Sequence, residues 1–77
     1  MTTAEKIMEV LANHLEMDVN EISEDATLES LDVDSLDTVE IMMELEDEFG
    51  IEINASDVGT GKSVKELAEY VDSKIDG

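Results

Sequence analysis

The chain has 77 residues, with 22 Asp and Glu against only four Lys and no Arg, for a formal net charge of −18. Such a field repels nucleic acid and anionic membrane and attracts basic protein surfaces, and the length suits one small domain over residues 1–77. The absence of cysteine excludes disulfides, thiolate metal sites and a thiol nucleophile of the chain's own; Met1-Thr2-Thr3-Ala4-Glu5 lacks the basic and apolar regions of a signal peptide, so a cytoplasmic monomer with no membrane insertion is expected.

Thr2-x-x-Glu5 has the form of a capping box, in which each side chain satisfies the other's backbone N–H at a helix start. Ile7, Val10, Leu11 and Leu15 then recur at i, i+3, i+4 and i+8 and predict a first helix with one apolar stripe. His14 falls on the flank of that stripe. It reads as a partly buried structural histidine, and with no second histidine to share a metal it is given no function. From Met17 to about Asp34 the helical period fails. So long a connection is uncommon in a compact domain, and Val19, Ile22, Ala26, Leu28, Leu31 and Val33 predict a loop pinned over the core. Asp32-x-Asp34 is no calcium loop: Leu36 takes the fifth ligand position, Asp37 the place of the glycine and Met43 that of the final glutamate.

Asp34 is a favoured N-cap and predicts a second helix from Ser35 to about Phe49. Ser35 therefore heads a helix, where unpaired N–H groups and the dipole favour a phosphate. No base for it is evident, so the residues alone leave two readings, an ordinary capping pair or an attachment point. Within the helix, Ile41, Leu45 and Phe49 are the core set, at i, i+4 and i+8. Leu36, Val39 and Met43 form a second apolar strip on the side of Ser35, and Asp37, Glu40, Glu44, Asp47 and Glu48 form an acidic band beside it. Adjoining acidic and apolar strips suggest a docking surface, which Glu46, between the two apolar strips, could join.

Gly50 is placed to end the helix. Ile51-Glu52-Ile53 reads as an extended link with Ile53 turned inward, and Ala55 to Val58 as a single helical turn. Gly59-Thr60-Gly61-Lys62-Ser63 looks like the end of a P-loop, but Ser56 stands where the first glycine belongs and no buried strand precedes it. Ser63-x-x-Glu66 is a second capping box, opening a final helix whose core face is Val64, Leu67, Ala68, Val71 and Ile75. These elements predict an all-α fold, a small three-to-four-helix bundle with a long first loop. Five methionines and only two aromatics, Phe49 and Tyr70, would make its core adaptable.

Residues 34–40, Asp-Ser-Leu-Asp-Thr-Val-Glu, followed by Glu44-Leu45-Glu46-Asp47-Glu48-Phe49-Gly50-Ile51-Glu52-Ile53, resemble the prosthetic-group attachment region of the acyl carrier proteins of fatty-acid synthesis. The resemblance runs from Ile7 to Ile75. It implies that Ser35, between Asp34 and Leu36, carries 4′-phosphopantetheine, delivered from coenzyme A by a separate magnesium-dependent phosphopantetheinyl transferase. It implies a non-catalytic carrier that shelters short or medium acyl chains between its helices. By the same resemblance the helix after the serine docks that transferase and the acyl-transferring enzymes of fatty-acid synthesis, through their basic and apolar patches; the docking residues are then Asp37, Val39, Glu40, Met43, Glu44, Glu46 and Asp47. Two positions depart from the family's habit: Asp32 stands where glycine is usual, and Asn54 where proline is usual. Aspartate tolerates left-handed backbone better than most residues, so the turn is expected to survive. A specialised carrier of polyketide, peptide or aminoacyl units, or an acidic interaction module without a prosthetic group, are the alternatives.

Overall fold

The computed structural model describes residues 2–54, 57–59 and 61–76. Their order is α1 (Thr3–Leu15), a 3-10 turn (Val19–Glu21), α2 (Ser35–Phe49) and α3 (Val64–Asp76). Among the described residues the only β pairing is an isolated antiparallel bridge between Thr27 and Ser63. The fold is a small all-α bundle in which α1 packs against both α2 and α3.

Each helix begins where its local chemistry directs. Thr2 Oγ1 accepts the N–H of Glu5 at 3.1 Å, and the Glu5 carboxylate accepts the N–H of Thr2 at 3.0 Å. Ser63 and Glu66 repeat the exchange at 3.2 and 3.1 Å. The N–H donated by Thr2 holds the Glu5 carboxyl below the usual carboxylate range, and that of Ser63 does the same for Glu66. The remaining N–H groups of the first turn of α3 are met from the long loop: Val64 donates to the Ala26 carbonyl at 2.9 Å and Lys65 to that of Glu24 at 3.0 Å. The loop thus completes the start of α3, which no periodicity indicates.

Three segments end in one way. At Glu16 (φ 56°), Asp32 (φ 59°) and Gly50 (φ 65°) the backbone turns left-handed. The next residue's N–H then reaches back to close the turn: Met17 to the Ala12 carbonyl at 3.0 Å, Val33 to Leu28 at 3.0 Å and Ile51 to Glu46 at 3.2 Å. This is the Schellman arrangement, which favours glycine because a Cβ is penalised there. Asp32 fills that position at the end of a single turn over residues 27–31, so the bend before α2 survives without glycine, as the sequence suggests. Leu28 and Val33, which bracket the closure, are both buried, at 1% and 6% exposure.

The core draws on every segment: Ile7, Leu11 and Ala12 from α1, Ile22, Leu28 and Val33 from the loop, Ile41, Met42 and Leu45 from α2, and Val64, Leu67, Ala68 and Val71 from α3, with Val58. No described polar side chain is buried among them. Phe49, Ile51 and Ile53 are half-buried against this set. Two expectations fail. Val19 is 41% exposed because it leads the 3-10 turn, and Ile22 just after the turn supplies the buried contact instead. Ile75 is 52% exposed because the last turn of α3 runs past the buried set, whose final α3 member is Val71. The turn expected over Ala55 to Val58, and the glycine-rich run that follows, include Ala55, Ser56 and Thr60, which lie outside the described residues.

Candidate functional site

Asp34 caps α2 with extended backbone. Its Oδ1 accepts the Asp37 N–H at 2.8 Å, and its carbonyl accepts both the N–H and the Oγ1 hydroxyl of Thr38, at 2.9 and 2.8 Å. Ser35 is therefore the first residue of the helix, held between the left-handed bend at Asp32 and a doubly anchored cap. Its side chain is exposed, and among the described residues nothing hydrogen-bonds its hydroxyl or accepts the N–H of Ser35 or Leu36. An accessible hydroxyl beside unmet helix N–H groups suits a phosphodiester at this oxygen. Among the described residues no imidazole or lysine amine is hydrogen-bonded to that hydroxyl.

The strip beside it is open to solvent. Leu36, Val39 and Met43 are 69%, 49% and 58% exposed, and Ser35, Val39 and Met43 stand at i, i+4 and i+8 on one face. Exposure of large apolar groups in a row is a cost unless something covers them. Asp47 and Glu40 border the strip, and both are exposed.

The acidic residues do not behave alike. Glu48 pairs with Lys6 of α1. Glu46 is half-buried, and its Oε2 accepts the Ile53 N–H at 2.8 Å, tying the end of α2 to the extended link. Asp37, Glu40 and Glu44 converge on His14 of α1. Its Nε2 lies 3.4 Å from Asp37 Oδ1 and 3.6 Å from Glu40 Oε2, and its Nδ1 lies 3.6 Å from Glu44 Oε1. Partial burial of the imidazole opposes its charge. The contacts with Asp37, at hydrogen-bond distance, and with Glu44, with their negative charge, outweigh it and raise the pKa above the ordinary value. Periodicity alone puts His14 on the right face, since Ile7, Leu11 and His14 stand at i, i+4 and i+7. The acids it meets depend on how α2 lies across α1.

A cleft of about 320 Å³ opens between α1 and the 3-10 turn, lined by Glu5, Met8, Glu9, Val19, Asn20 and Ile22. None of these belongs to α2 or α3, so this cleft is separate from the Ser35 strip.

A family model described as the phosphopantetheine attachment site matches residues 5–71. Among curated proteins, an acyl carrier protein of Solidesulfovibrio magneticus is 35% identical over 75 residues, spanning 96% of this chain and 96% of that protein.

Proposed function

The chain belongs to the acyl carrier protein family, whose members bear covalent 4′-phosphopantetheine, and from that premise we propose that Ser35 is the attachment residue and that the chain is a non-catalytic carrier for fatty-acid or related lipid synthesis. The observation that carries this reading is the hydroxyl of Ser35: exposed, unbonded and heading a helix whose cap fixes its position. When bound, the prosthetic group supplies a terminal thiol that holds acyl groups as thioesters. The chain's own contribution is to present Ser35 Oγ to a separate transferase, with Asp34 and Leu36 on either side of it. Proton removal from Oγ belongs to that enzyme.

Asp37, Val39, Glu40, Met43, Glu44 and Asp47 then form the surface that receives the basic and apolar patches of partner enzymes, in transient complexes formed by one carrier domain acting as a monomer. Glu46 contributes mainly by holding α2 against the link. No described helix is long and apolar enough to cross a membrane; the carrier works in the cytoplasm in this reading. An acidic module without a prosthetic group does not account for a family match over residues 5–71.

Incubation with coenzyme A and a broad-specificity phosphopantetheinyl transferase, followed by intact-mass measurement, tests the assignment. A gain of one phosphopantetheine that disappears in Ser35→Ala is expected. A gain that persists in Ser35→Ala would place the group elsewhere.

A further inference from the structure

His14 is the only histidine in the chain, and its side chain is just 14% exposed where α1 meets α2. The charged groups that face it among the described residues all come from α2: Asp37, Glu40 and Glu44. They stand at i, i+3 and i+7, one stripe of one helix. The described lysine contacts lie elsewhere, Lys6 on Glu48 and Lys74 over the Tyr70 ring. A neutral imidazole has one N–H and one lone pair, so it can serve the acids on one ring nitrogen while presenting a lone pair to those on the other. Only the imidazolium donates from Nε2 toward Asp37 and Glu40 and from Nδ1 toward Glu44 together. A single proton thus decides whether the ring engages carboxylates at both of its nitrogens or at one only.

We propose that His14 is a proton-operated clasp on the docking helix: charged, it ties Asp37, Glu40 and Glu44 to α1 and weakens the field they offer; neutral, it lets go at one ring nitrogen, cancels none of their charge and leaves that charge to the lysines and arginines of a partner. This rests on the docking reading given above. The raised pKa of His14 agrees with it, because the exchange then falls above the ordinary imidazole value of about 6.5. Linkage makes the effect reciprocal. A basic partner that takes the carboxylates lowers the His14 pKa and expels its proton, by the same factor by which protonation weakens binding.

The test uses the whole chain and a lysine- and arginine-rich peptide as probe, in chelator-treated buffer at fixed ionic strength. Since there is one imidazole, its NMR titration is unambiguous. In the free protein His14 should titrate above about 6.5, and Glu44→Gln should lower that value. Added peptide should lower it too, and a displacement of about one unit corresponds to peptide binding about three- to sixfold tighter at pH 8 than at pH 6. His14→Gln should abolish that pH dependence. The His14→Gln chain reports any contribution from other groups, the terminal amine included. Binding that ignores Asp47→Lys would overturn the docking reading and the clasp with it. Binding that is weakened by Asp47→Lys, yet varies with pH identically in wild type and His14→Gln, would overturn the clasp alone. So would an imidazole pKa that neither Glu44→Gln nor the peptide moves.

Discussion

Replacing Asp34 separates the fold's hold on Ser35 from the charge beside it. In Asp34→Ala the Asp37 N–H loses its 2.8 Å acceptor. Loss of such a cap costs about 1 kcal/mol, within a range of about 0.5–2. The charge–dipole attraction at the helix start adds about 0.3–1 kcal/mol. Against this, the substitution removes one of 22 acidic residues from a chain of net charge −18, a relief of a few tenths of a kcal/mol for an exposed group. The balance is a loss of about 1 kcal/mol, which in a domain of this size lowers Tm by about 4–8 °C. Asp34→Asn keeps a side-chain oxygen for the cap and should stay within about 0.5 kcal/mol of wild type. Urea unfolding followed by circular dichroism at 222 nm measures both, with equal m values required for the comparison. The reasoning fails if Asp34→Ala is as stable as wild type, or if Asp34→Asn is as damaged as Asp34→Ala. A folded Asp34→Asn protein then isolates the charge next to Ser35, and its rate of phosphopantetheinylation reports whether the transferase uses it.

Leu28 lies in the long loop yet is only 1% exposed, so Leu28→Ala should cost about 2–5 kcal/mol by denaturant titration, as in a helical core; a loop merely draped over the bundle would lose far less. Glu46→Ala removes the acceptor of the Ile53 N–H and should cost about 1 kcal/mol, with hydrogen exchange quickened at the Ile53 amide more than in α1. Asp47→Lys should slow loading by the transferase while leaving Tm little changed, because Asp47 has no described partner; charge reversal at Glu40 is a poorer probe, since it also sets a lysine beside His14. Melting temperature should rise between low and moderate salt, as screening relieves the self-repulsion of a −18 chain.

The helices were legible because what starts and stops them is local. The two capping boxes, the Asp34 cap and the Gly50 terminus each involve residues within a few positions of one another, so spacing alone identifies them. The Asp32 bend was legible only through the family resemblance, which places a glycine there. Ser35 and its apolar strip followed from one helical period, which separates Leu36, Val39 and Met43 from the buried Ile41 and Leu45.

Periodicity gives a residue's face but not its neighbour. It could not show that α3 runs past the core and leaves Ile75 in solvent, or that a 3-10 turn carries Val19 outward. It treated the acids of α2 as one band. Only the crossing of α1 over α2 divides them, with Glu48 on Lys6 and with Asp37, Glu40 and Glu44 around His14. Short-range hydrogen bonds wrote the helix ends into the sequence. Charge pairing across 23 positions or more had to wait for packing, because a long-range contact depends on how two surfaces meet.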